Sequence, residues 1–155
     1  MTPGSDSYVT LTEADAYVEA FHPDSAWFGL TDTQKEQRLV LACEQLEAPP
    51  FTGRKTDRRQ PMAFPRFPSV TVPQSIKAAQ VEIALLPLST VRSAAATDAA
   101  QRAALQRQGV TAFSIGDLSE SYGGVVGLVA THAFLADATI HGLLIQFLQG
   151  GYPIC

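Results

Sequence analysis

Thr10-Leu11-Thr12-Glu13-Ala14-Asp15-Ala16-Tyr17-Val18-Glu19-Ala20-Phe21 sets the fold class. Thr10 and Glu13 have the spacing of a capping box, in which each side chain takes a backbone N–H left free at the helix start. Ala14, Tyr17, Val18 and Phe21 then recur at i, i+3, i+4 and i+7, the period of an amphipathic helix rather than a strand. Pro23 closes the segment, so a helix is predicted over 11–22. A second start signal follows, Thr31 with Gln34. Its apolar face is Leu39, Ala42, Cys43 and Leu46, and Pro49-Pro50 ends it. Between the two helices, 24–30 reads as a loop carrying the apolar anchors Trp27 and Phe28.

Outward from these helices the texture changes. Residues 51–72 hold Pro61, Pro65 and Pro68 and no steady period, which predicts an extended loop, and loops of this length are often functional. Pro73 fits the first position of a third helix, with Ile76, Ala79, Ile83 and Leu86 along one face until Pro87. Residues 92–107 read as a weak, solvated helix or a tether. Alternation over 109–122 predicts a short β-hairpin. Glycines loosen the chain after Tyr122, and Ile140, Leu143, Leu144, Phe147 and Leu148 form the stripe of a last helix over 138–149. The expected fold is mainly α: a small helical bundle with a short β-hairpin, an extended loop and a C-terminal helix and tail. The expected organisation is a helical core over 1–122 and a glycine-rich apolar segment with the last helix over 123–155.

The 155 residues, 46% hydrophobic and 17% charged, suit one domain with a sizeable core and exclude global disorder. No run reaches the ~18 apolar residues of a membrane span, so no membrane partner is expected. The opening MTPGSDSYVT lacks the layout of a secretory signal, and two cysteines, Cys43 and Cys155, make no disulfide framework. A soluble protein of a reducing compartment is expected. Charge is uneven: residues 1–50 hold nine acids and two bases, whereas 51–110 hold nine bases and three acids. An acidic whole with a basic middle argues against a general polyanion binder and permits a local basic patch.

No catalytic signature is present, and the protein is expected not to be an enzyme. Gly123, Gly124 and Gly127 lack dinucleotide-loop spacing. His22, His132 and His141 are isolated, so no metal or other cofactor is expected. Cys43, on an apolar helix face, reads as a buried inert thiol. The basic loop is the stronger feature. Arg54, Lys55, Arg58 and Arg59 fall within nine residues, with Phe51, Phe64, Arg66 and Phe67 close by. Cations with aromatics can track phosphates and stack on exposed bases. The same residues can equally form a solvated turn or contact the acidic half of a neighbour. From Val125 to Cys155, 19 of 31 residues are apolar and only Asp137 is formally charged. That segment either packs inside the chain or meets a partner, with Leu128, Phe134, Leu135, Tyr152 and Ile154 as candidate docking residues.

Ser7-Tyr8-Val9-Thr10-Leu11-Thr12-Glu13-Ala14-Asp15-Ala16-Tyr17 resembles the opening motif of a phage family, the DnaT-like single-stranded-DNA-binding proteins. The resemblance continues through Trp27, the 35–46 helix, Gly53-Arg54, Gln60, Phe64-Pro65-Arg66, Val72-Pro73 and the 77–86 helix, with Phe64 where the family pattern favours Trp. Members of that family look like head–tail adaptor (connector) proteins of tailed phages. The resemblance therefore implies a structural adaptor in the virion neck, assembled in the host cytoplasm. Its copies would form a homo-oligomeric ring, typically a dodecamer, between the portal protein and a tail or stopper protein, with packaged double-stranded DNA passing through the lumen. The alternative is a single-stranded-DNA-binding module using Arg54, Lys55, Arg58, Arg59 and Arg66. Five engaged cations would give a log–log salt slope of about −3.5.

Overall fold

The computed structural model describes residues 1–88 and 132–149. Among these residues the α-helices are α1 (Leu11–Phe21), α2 (Asp32–Glu47), α3 (Gln74–Leu85) and α4 (Ala138–Leu144). Both capping boxes form: Thr10 Oγ1 accepts from Glu13 N at 3.1 Å while Glu13 Oε2 accepts from Thr10 N at 2.8 Å, and Thr31 pairs with Gln34 in the same way. Asp137 caps α4 through the N–H groups of Thr139 and Ile140. The mainly helical class holds. β pairing among the described residues is confined to isolated bridges, Pro3 with Ser7, Phe51 with Leu148 and Lys55 with Arg66. The expected hairpin at 109–122 and the 92–107 segment lie outside the described residues.

α3 is the centre of the bundle, with α2, α4 and α1 packed around it. Periodicity marks one apolar stripe, yet Ile76, Ala78, Ala79, Gln80, Val81, Ile83 and Ala84 are all buried. Three alanines keep α3 slim, so neighbours approach on more than one side. Burying Ile76 or Ile83 stabilises by roughly 1.5–3 kcal/mol each. Gln80, fully buried, is the polar member: its Oε1 accepts from Tyr8 N at 2.8 Å, and its Nε2 donates to Leu39 O at 2.8 Å and to Ser7 Oγ at 2.9 Å. One amide thus ties the N-terminal segment, α2 and α3 together. Pro73 is the cap of α3 rather than its first residue.

α1 buries Ala14 and Val18, while Phe21 stays 67% exposed. It is fixed to the bundle by polar contacts: Tyr17 Oη donates to Glu82 Oε1 at 2.8 Å, with His22 Nε2 2.9 Å from the same oxygen. Trp27 is buried on a 3-10 turn, Ala26–Gly29, and donates to Asp15 Oδ1 at 2.7 Å. Lys35 Nζ reaches the same oxygen at 2.9 Å. Burial raises the Asp15 pKa, but the Lys35 and Trp27 hydrogen bonds outweigh it and hold the carboxyl below its ordinary value. Cys43 is buried on α2, and desolvation, followed by the Glu47 charge, pushes its thiol up to about 12.

The predicted helix over 138–149 is shorter. It tightens into a 3-10 turn at Ile145–Phe147, after which the backbone leaves the helix: Thr52 N donates to Phe147 O at 2.7 Å and Gln149 N to Pro50 O at 2.9 Å. Ile140, Leu144 and Leu148 are buried as the stripe requires.

Candidate nucleic-acid interface

The 51–72 loop grows from a buried root. Phe51 and Phe64 lie edge to face with ring centroids 4.9 Å apart, and Phe147 closes on Phe64 at 5.3 Å. Glu47, at the end of α2, accepts from Ala63 N at 2.7 Å, and Tyr8 Oη accepts from Phe64 N at 3.1 Å while donating to Glu47. The apolar root and these two backbone clasps fix where the loop leaves the bundle.

Beyond the root the loop doubles back on itself. Thr56 N donates to Pro65 O at 3.1 Å and Phe67 N to Arg54 O at 2.9 Å. Phe64-Pro65 and Phe67-Pro68 are cis. Gly53 takes a φ of +77°, a left-handed conformation that a side chain would strain. At the tip Asp57 Oδ1 accepts from Arg59 N at 2.8 Å, Gln60 Oε1 accepts from Asp57 N at 3.1 Å, and Gln60 Nε2 ties back to the carbonyls of Met62 and Pro65. This is the Asp-led turn expected when a carboxylate caps the N–H two residues on.

The five cations divide sharply. Arg66 points inward: Nε donates to Thr52 O at 2.6 Å, Nη2 to Phe51 O at 3.1 Å and to Gly53 O, and Nη1 to Ala63 O at 3.3 Å. Its guanidinium is consumed by four carbonyls and staples the loop. Lys55 is half-buried and spends its ammonium on the carbonyls of Gln60 and Pro61, both at 3.3 Å. Arg54, Arg58 and Arg59 are exposed, and none of them is paired with a carboxylate among the described residues. Arg54 lies over the ring of Phe67, 4.8 Å from its centroid. Sequence reasoning could not sort these cations, because it cannot see which carbonyls converge on which side chain. It also passed over Asp57 and Gln60 as organisers, although an Asp two residues before Arg59 is a legible turn signal.

The candidate docking residues of the C-terminal segment are placed differently. Phe134 and Leu135 are 3% and 2% exposed, inside the chain's own core, so their surfaces are already spent. An apolar helical turn packed on α4 buries them. Leu128, Tyr152 and Ile154 lie outside the described residues. Of the histidines, His22 faces Glu82, His132 has its pKa lowered by desolvation, and His141 Nε2 is buried without a partner among the described residues.

The family model described as "Putative DnaT-like ssDNA binding protein" matches residues 1–150. The chain belongs to that family. No curated protein and no solved structure matches it. The family description names single-stranded DNA and overturns the expectation of a head–tail connector. With that expectation go the ring, the portal and tail partners, and the duplex-filled lumen.

Proposed function

We propose that this chain is a binding module for single-stranded DNA, not an enzyme, and that the tip of the 51–72 loop is its contact surface. The observation that carries the reading is the division of the cations. Arg54, Arg58 and Arg59 remain solvent-facing on a backbone fixed by Arg66, Gln60 and Asp57. A pinned loop presenting three guanidinium groups loses little conformational entropy on meeting a phosphate chain. The family description supports the same partner. The protein's net charge of −4 favours a local footprint, because the acidic first fifty residues repel a polyanion elsewhere.

The test is salt dependence. Three engaged cations predict a log–log slope of about −2 on single strands, shallower than the value for five. Titrating a labelled oligonucleotide at several salt concentrations measures it. Reversing both Arg58 and Arg59 to Glu should abolish measurable binding at moderate salt. Unchanged affinity in that variant, or no binding by the parent protein at low salt, would refute the reading.

A further inference from the structure

We propose that Phe67 is the base-stacking residue of this loop, offering its ring to one unpaired nucleobase and so making the interface discriminate single strands from duplex. The inference rests on the DNA-binding reading above and adds to it the residue that confers selectivity. Three aromatics occupy the loop, and the structure separates them. Phe51 and Phe64 are 8% and 3% exposed and are packed against each other in the root. Phe67 is 58% exposed, which leaves a large part of the ring in water.

The ring is also held in place. Its backbone N–H is bonded to Arg54 O, and Ser69 N donates to Arg66 O at 2.9 Å, so the residue sits on a fixed segment. The Arg54 guanidinium lies over one face of the ring, which restricts it further and sets a positive charge beside it, and a base stacks on the part of the ring left in water. Exposed Pro68 and Val70 continue the apolar surface beside it. A planar, apolar ring backed on one face by a cation suits a nucleobase on the other. In duplex DNA the base faces are covered by their neighbours, so only a single strand, or an extruded base, can use it.

The experiment compares a short oligothymidylate with an oligomer of equal length made of abasic sites, each titrated against the full chain and against Phe67→Ala and Phe67→Tyr. The native protein should bind the thymidylate about tenfold or more tightly than the abasic strand. Phe67→Ala should bind both alike, at the level the native protein shows for the abasic strand, with the salt slope unchanged. Phe67→Tyr should restore the preference. If the native protein binds both oligomers but without preference, or if Phe67→Ala keeps the preference, the stacking role is overturned and DNA binding stands. If the native protein binds neither, both readings fall.

Discussion

Replacing Arg66 separates a loop staple from a phosphate contact. The side chain makes four donations, of which those to Phe51 O and Ala63 O are partly shielded from water and those to Thr52 O and Gly53 O are exposed. Water replaces the exposed pair at little cost. The shielded pair, left without donors, costs about 1 kcal/mol each. The guanidinium also lies 5.9 Å from the Phe64 centroid, a contact worth about 0.5–1 kcal/mol. Arg66→Ala should therefore destabilise by about 2–3 kcal/mol, or lower Tm by about 5–10 °C for a chain of this length. Arg66→Lys should recover less than half, because one ammonium cannot span carbonyls that a planar fork reaches together. Urea unfolding followed by Trp27, the single tryptophan and a buried one, reads the stability. Amide exchange at Thr56 and Phe67, whose N–H groups cross the loop, should quicken in the same variant. An unchanged midpoint with unchanged exchange, together with a salt slope made shallower by about 0.7, would mean that Arg66 meets phosphate directly. That result would refute the division of the cations.

Two further outcomes follow from the polar contacts of the bundle. Gln80→Leu leaves the Tyr8 N–H without its acceptor and removes two donations to Ser7 and Leu39, so urea titration should show a loss of about 2–4 kcal/mol; a loss below 1 kcal/mol would show that the buried amide does not hold the N-terminal segment. Asp15 has its folded-state pKa lowered, so its contribution is present above the unfolded carboxyl pKa and disappears as pH falls through the folded value. Asp15→Asn should accordingly cost stability at neutral pH and make the acid limb of a stability–pH curve shallower, and an unaltered acid limb would show that other carboxylates govern it.

The α1 and α2 boundaries were legible because their signals are local. A Thr with Glu13 or Gln34 three residues on satisfies its own N–H groups wherever the helix lies, and Pro23 and Pro49-Pro50 stop a helix by their own geometry. The stripe of α2, and Ile140, Leu144 and Leu148 beyond it, were legible for a related reason: a single buried face leaves its period in the residue order. The centrality of α3 was not: its residue order marks a single stripe through Ile76, Ala79 and Ile83, whereas the burial of Ala78, Gln80, Val81 and Ala84 depends on neighbours remote in sequence, and Gln80 looks like a surface residue until Tyr8 and Leu39 are brought to it.

The candidate site divides along the same line. Residue order alone determined that a proline-rich, cationic, aromatic loop links two helices and that its charge opposes the acidic segment before it. Only the tertiary structure decided that Arg66 faces inward, that Phe51 and Phe64 are core, and that Arg54, Arg58, Arg59 and Phe67 face solvent. The physical reason is range. Caps and proline stops act over three or four residues, whereas the fate of a loop side chain depends on contacts such as that between Thr52 and Phe147, which are remote in sequence and are made only when the chain has folded.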